Sequence, residues 1–108
     1  MRNDMKEHYK KEIEKYLQTK EKEEKSLEEA LLQTPLDAEL IYYYIDRLAI
    51  CIRMMEIVKL SADNNSIGAL KMFSDTKHLE ETKSLLYKKY DLELLFTREV
   101  KENEIWRT

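Results

Sequence analysis

The stretch from Leu36 to Leu60 limits what this chain can fold into more than any other part of it. Eighteen of its 25 residues are apolar, and they recur at spacings of three and four, which is the period of an α-helix. Its charged residues fall mostly along one line, formed by Glu39, Asp46 and Arg53 with Glu56 beside them. A helix that is apolar around most of its circumference has to be covered by other helices. We therefore predict that this stretch is the central helix of the fold.

The residue composition favours helices in the rest of the chain as well. A single Gly and a single Pro among 108 residues leave few tight turns, which disfavours a β-sandwich or a doubly wound sheet. Hydrophobic residues make up 43% and charged residues 38%, as in globular proteins. We expect an all-α fold, a small bundle of three to five helices around the central one, in a single helical domain over residues 1–108.

Helical periodicity also predicts which side chains face the core. On the central helix these are Leu40, Ile41, Tyr44, Ile45, Leu48, Cys51, Ile52, Met55 and Val58. A helix near the N-terminus carries a stripe formed by Met5, Tyr9, Ile13, Tyr16 and Leu17. A later helix, capped within residues 74–76, turns Leu79, Thr82, Leu86 and Tyr90 inward.

Three local features of the sequence allow more than one interpretation. Residues 18–26 contain no apolar side chain and predict either a projecting charged stretch of helix or a joint, with Ser26 and Glu29 as a capping box. Thr34 is expected to cap the central helix, with Pro35 in its first turn. Residues 67–73 and 92–97 favour helices, but a two-stranded pairing between them, in an α+β fold, stays open.

The sequence shows no pattern that is typical of a catalytic site. It contains no phosphate-binding glycine loop, no HExxH and no GxSxG pattern. His8 and His78 lie in highly charged segments and are expected to be solvated. Cys51, the single cysteine, excludes an internal disulfide and is expected in the core. We predict no catalytic residue, no cofactor-binding residue and no metal ligand, and hence a protein that is not an enzyme and needs no cofactor.

The location of the protein follows from the same residues. No apolar stretch has the length of a signal peptide or of a membrane span, so we expect a cytoplasmic protein without a membrane partner. The frequent use of Lys, Glu, Ile, Tyr and Asn indicates an AT-rich genome, such as that of a low-GC bacterium or its phage.

The central helix carries more apolar surface than a small monomer needs. Tyr43, Ile50 and Ile57 recur by sevens on the flank beside the charged line, outside the inward half. Together with Tyr42 and Met54, they are the predicted interface residues, because Tyr and Met suit adaptable contacts. The alternative is that the terminal helices wrap the central helix completely. We expect a protein-interaction module, an adaptor or inhibitor of a larger protein, that forms a homo-oligomer through this helix.

Nucleic-acid binding is the competing hypothesis. The net charge of −3 shows no basic excess, so such binding requires an oligomer to align Lys88, Lys89, Arg98 and Lys101. The helix order from Leu27 to Val100, namely a cap, a long helix, a polar turn and a later helix, resembles that of the small terminase subunits of phages. This resemblance implies a subunit that takes part in DNA packaging.

Overall fold

The computed structural model describes the backbone of residues 3–107 and the side chains of residues 6–99. Five helices follow one another along the chain: α1 (Asn3–Leu31), α2 (Ala38–Ala62), α3 (Ser66–Ser74), α4 (Thr76–Lys89) and α5 (Leu92–Arg107). Helices account for 87% of the structure, and the described backbone has no strand. The predicted all-α bundle is therefore confirmed.

The helices α1 and α2 form an antiparallel pair joined by a short connection. The Cys51 thiol of α2 donates to the carbonyl of Tyr16 in α1, with the Sγ and the oxygen 3.1 Å apart. Nearer the connection, Leu27 of α1 and Ile45 of α2 are fully buried. The two helices thus share the main apolar contact of the molecule.

The remaining helices lie on other sides of α2. The Lys83 ammonium of α4 is 2.7 Å from the Asp46 carboxylate of α2, and the Arg53 guanidinium donates to the Met72 carbonyl at the end of α3. The helix α5 reaches the α1–α2 connection, where the backbone N–H of Leu36 donates to Glu99 at 2.8 Å. Since α2 contacts α1, α3 and α4, it is the central helix, as the sequence predicts.

Burial follows the predicted periodicity closely. The core consists of Leu27, Ala30, Ile41, Ile45, Leu48, Ala49, Leu86 and Leu92. Every predicted inward residue of α2 and of α4 is buried or half-buried. In the α1 stripe Tyr9, Ile13 and Tyr16 are half-buried, Leu17 is exposed, and Met5 lies outside the described side chains.

The start of α2 differs from the prediction by three residues. The Asp37 carboxylate accepts the backbone N–H of Leu40 at 3.1 Å, which makes Asp37 the N-cap. Thr34 and Pro35 are joined by a cis peptide bond and precede the helix. The prediction that Thr34 caps α2 was wrong because Asp37, two residues after Pro35, supplies the capping side chain.

Residues 18–26 neither project from the bundle nor form a joint. They lie inside the continuous helix α1, and Glu23 in their middle is only 5% exposed. The Arg47 guanidinium of α2 lies 2.9 Å from the Glu23 carboxylate and compensates its burial. The sequence pattern could not reveal this partner, which lies 24 residues further along the chain.

The alternative strand pairing of residues 67–73 with 92–97 is wrong. The first segment lies in α3, which begins where the Asn65 side chain accepts the backbone N–H of Gly68. The second lies in α5, whose first turn closes with a bond from the N–H of Leu95 to the carbonyl of Asp91. Both ambiguous segments are therefore helical, and a side-chain cap, Asn65, begins the first of them.

Candidate interaction surface

One side of α2 remains open to solvent. It is formed by Tyr43, Arg47, Ile50, Met54 and Ile57, which we call the open flank. These residues alternate at spacings of four and three, so they lie along one line of the helix. Tyr43 is 52% and Ile50 44% exposed, whereas Met54 and Ile57 are half-buried. The alternative that the other helices wrap α2 completely does not hold for these described side chains.

The helix α1 borders the open flank along one edge. Between the two helices runs a groove of about 280 Å³. The groove is lined by Lys15, Tyr16, Thr19, Glu23, Arg47, Ile50, Cys51 and Met54. It gives the flank a concave apolar floor that a side chain from another molecule could enter.

The other edge of the open flank is bordered only over half its length. Arg53 binds the carbonyl groups of Met72 and Phe73 at the carboxyl end of α3. Ile57 lies about 40° around the helix from Arg53 and is half-buried. Tyr43, at the far end of the flank, lies ten residues before Arg53 and beyond the reach of α3.

A polar network fixes the geometry of the flank near Tyr43. The Arg47 guanidinium lies between two partners: Nε donates to Glu23 at 2.9 Å and Nη1 donates to the Tyr43 hydroxyl at 3.0 Å. The hydrogen bond to Glu23 is the main cause that raises the pKa of Arg47. Arg47 also lies over the Tyr43 ring, 5.4 Å from its centroid. The Tyr43 side chain is thereby held in place before any partner arrives.

Cys51 lies at the floor of the same groove. Its side chain is buried, as the sequence predicts. Burial raises the pKa of the thiol, and the nearby Glu23 carboxylate adds to the rise. The thiol is therefore protonated at neutral pH, unlike the thiolate that acts as a nucleophile.

Tyr42 does not belong to the open flank. Its ring packs against Tyr87 of α4, with centroids 5.9 Å apart, and against Phe96 of α5, at 5.8 Å. Adjacent residues of a helix point about 100° apart, so Tyr42 and Tyr43 face different sides. The structure thus brings together four of the five predicted interface residues and separates Tyr42 from them.

The charged line of α2 has a different environment from the one its sequence suggests. Asp46 pairs with Lys83, and Arg53 binds the end of α3. Glu56 lies 3.0 Å from the imidazole of His78. The expectation of a solvated His78 was wrong because Glu56 of α2 packs against it, whereas His8 is exposed as predicted.

A second apolar surface escaped the sequence analysis. On α3 the side chains of Ile67, Leu70 and Phe73 are 71%, 69% and 62% exposed; we call them the α3 ridge. They recur every third residue, while Ala69 on the same helix is buried. The spacing was visible in the sequence, but the direction in which α3 faces depends on α2.

The described basic residues of the competing hypothesis line different grooves. Lys88 lines a groove with Glu93, Lys89 lines a groove between α1 and α4, and Arg98 lines one beside the α1–α2 connection. Lys101 lies outside the described side chains. Within one copy of the chain, therefore, the three described residues form no shared basic patch.

Other classes of site find no support in the part of the chain that the structure describes. The described residues contain no group of three His, Cys, Asp or Glu side chains that could hold a metal ion. Among them, no helix has the length and apolarity required to cross a bilayer.

Comparison with protein-family models, with curated proteins and with solved structures gives no match. The similarity to small terminase subunits accordingly rests on the helix order alone. The open flank, with its fixed Tyr43 and its apolar groove, is the surface on which a functional argument can be built.

Proposed function

We propose that this chain is a non-enzymatic protein-interaction module of the cytoplasm, an adaptor or inhibitor of a larger protein, which self-associates through the open flank of α2. One observation carries the proposal: Tyr43 and Ile50 are about half exposed on the same helix that supplies half of the core. Contiguous apolar surface on a small protein commonly marks an interaction site.

The residue types on the open flank suit this role. Aromatic residues, Met and Arg are enriched in protein interfaces, because they bury large areas at low entropic cost. Each Å² of apolar surface removed from water contributes about 25 cal/mol. A second molecule placed on the flank would cover Tyr43 and Ile50 and complete the burial of Met54 and Ile57.

The one charged residue of the open flank is compatible with burial in an interface. Arg47 pairs with Glu23 of its own chain. A partner that covers Arg47 therefore leaves no unpaired charge behind, which is the costly outcome when a charged side chain enters an interface.

The proposal is tested by placing a carboxylate on the flank. We expect Ile50→Asp, alone or combined with Ile57→Asp, to convert the oligomer into a smaller species in light scattering. A buried carboxylate without a partner costs more than a typical contact contributes. The single variant is the cleaner test because Ile57 is half-buried and its replacement also perturbs the fold.

Leu94→Asp provides a matched control. Leu94 is 51% exposed, a fraction similar to the 44% of Ile50. It lies on α5, however, in a groove that it shares with residues of α4. We expect this variant to keep the mass of the unchanged protein, and all variants to keep their helical circular dichroism. A monomeric mass for the unchanged protein over a wide range of concentrations would contradict self-association.

A further inference from the structure

We infer that the molecule seated on the open flank is a second, antiparallel copy of this chain, whose α3 covers the half of the flank that the first copy's own α3 leaves bare. This inference rests on the proposed function and specifies the partner and its orientation. It also assigns a role to the α3 ridge, which the fold of one chain leaves mostly exposed.

The starting point is the shortness of α3. Its nine residues span about 14 Å, against about 37 Å for the 25 residues of α2. It follows α2 after a turn of three residues and runs back until its end meets Arg53. One edge of the flank is therefore lined by α3 near Ile57 and unlined near Tyr43.

The open flank is symmetric in its spacing about Ile50. Tyr43 lies seven residues before Ile50, and Ile57 lies seven residues after it. Consider a twofold axis that runs between the two α2 helices near Ile50 and is perpendicular to both. It places Ile50 against its counterpart and Tyr43 against Ile57 of the second copy. Such an isologous contact is the commonest way in which identical chains associate.

This twofold axis also places the α3 of the second copy beside the half of the flank that the chain's own α3 does not reach. The twofold rotation reverses the direction of α2, so the N-terminal end of α2 in one copy lies beside the C-terminal end in the other. It does not exchange the two lateral edges of the flank, so the edges that carry α3 lie on the same side of the pair. The α3 helices of the two copies then lie end to end along the same edge, and each lines the partner's Tyr43 half. In a parallel pair both α3 helices lie at the same end, and both Tyr43 halves remain bare.

The charges favour the same orientation. The bare half of α2 carries Glu39, which is exposed, and Asp46, which lies 2.7 Å from Lys83, while its one cation, Arg47, pairs with Glu23. The helix α3 carries Lys71 in its last turn. An antiparallel pair brings Lys71 of each copy towards the acidic half of the other. A parallel pair brings the two α3 helices, with their Lys71 side chains, to the same end.

Cysteine cross-linking reads the orientation directly, because a disulfide needs Cα atoms within about 7 Å of each other. We prepare Ile50→Cys, Tyr43→Cys and Ile57→Cys, each combined with Cys51→Ala so that the introduced thiol is the one cysteine of the chain, and oxidise them mildly. We expect Ile50→Cys to cross-link with itself, and Tyr43→Cys to cross-link only when mixed with Ile57→Cys. In the antiparallel pair the two Tyr43 residues are about 21 Å apart along the direction of α2. Each lies opposite Ile57 of the other copy, and 14 residues separate Tyr43 from Ile57.

The unchanged chain is the control, because its buried Cys51 with a raised thiol pKa is a poor substrate for oxidation. Self-cross-linking of Tyr43→Cys would show a parallel pair and overturn this inference while leaving self-association intact. A dimer without any of these cross-links would overturn both the flank and the orientation. A monomer in light scattering would overturn the proposed function itself.

The α3 ridge supplies an independent readout. We expect Leu70→Asp to raise the dissociation constant of the dimer roughly tenfold or more, although Leu70 lies on a different helix from the flank. Leu94→Asp is again the matched control and should leave the constant unchanged. An unchanged constant for Leu70→Asp would remove α3 from the interface and overturn the inference.

Discussion

Two lines of residues spaced by seven run along α2, and they differ in the partners that their side chains find within the chain. The charged line of Glu39, Asp46 and Arg53 lies beside α3 and α4, where Asp46 and Arg53 find partners. The apolar line of Tyr43, Ile50 and Ile57 lies on the open flank, where Tyr43 and Ile50 remain exposed. In an ordinary monomeric bundle, the charged line would face water and the apolar line would be covered.

The contrast shows where the apolar surface of α2 exceeds what one chain can cover. Ion pairs near the surface contribute little to stability, so Lys83 and Asp46 do not by themselves hold α4 in place. The buried side chains of Ile45 and Ala49, beside the charged line, provide the apolar contact. Helices α3 and α4 lie on that side, α1 covers another, and the line through Ile50 is left exposed.

The largest expected effect separates covered from open positions on α2. Leu48→Ala should destabilise the fold by roughly 2–5 kcal/mol, through the lost transfer free energy and a cavity, because Leu48 is fully buried. Ile52→Ala should cost less, since Ile52 is half-buried. Ile50→Ala should cost least in the dissociated chain. Urea denaturation at low protein concentration measures all three. Equal urea midpoints for the Leu48 and Ile50 variants would show that the two positions of α2 do not differ in burial.

An intermediate effect tests the polar network that borders the open flank. Arg47→Ala removes the partner of the buried Glu23 carboxylate and should lower the stability of the fold. Glu23→Gln should cost less, because the amide oxygen still accepts a hydrogen bond from Arg47. Denaturation midpoints of the two variants provide the comparison. A larger loss for Glu23→Gln would show that the carboxylate matters apart from its pairing with Arg47.

The inward side of α2 could be predicted from the sequence because it depends on a local period. The positions of Ile41, Ile45 and Leu48 follow from 3.6 residues per turn, whatever helix covers them. The helical conformation of α3 and α4 could also be predicted from nearby residues, because Asn65 and Asp75 cap these two helices. The start of α2 was misplaced because two competing caps, Thr34 and Asp37, lie within four residues.

The neighbours of α2 could not be predicted in the same way. Which helix pairs with Glu23, Glu56 or Asp46 depends on contacts between residues far apart in sequence, and any Lys, Arg or His was an equal candidate. The separation of Tyr42 from Tyr43 has the same origin. Their different directions follow from the helix, but only the positions of Tyr87 and Phe96 show that the Tyr42 ring, though 48% exposed, packs against α4 and α5.

Alkaline pH should weaken the covered side of the molecule. Burial raises the pKa of Cys51 from 9.0 and of Tyr87 from 10.0, and the hydrogen bond to Asp46 raises that of Lys83 from 10.5. A raised pKa means that the folded state holds the proton more tightly, so this stability is complete below the ordinary pKa values and is lost as pH rises beyond them through the raised values of the folded state. We expect urea midpoints to fall from about pH 9 upward.

A variant separates the contributions to this loss. Cys51→Ala removes the group with the lowest ordinary pKa and should flatten the first part of the decline without changing its later part. Midpoints that rise with alkaline pH would show that the sign of these shifts is wrong.

The smallest expected effect concerns nucleic acid. Lys88, Lys89 and Arg98 line three different grooves, and the antiparallel pair proposed above joins the two copies through the opposite side of α2. Binding to duplex DNA draws its affinity from several phosphates neutralised at once, and it weakens steeply as salt rises. We therefore expect gel shifts at low salt to show only weak binding, equal for Ile50→Asp and the unchanged protein. A tight, salt-dependent shift that is lost in Ile50→Asp would show that self-association assembles a basic surface, and would favour the packaging subunit over the adaptor.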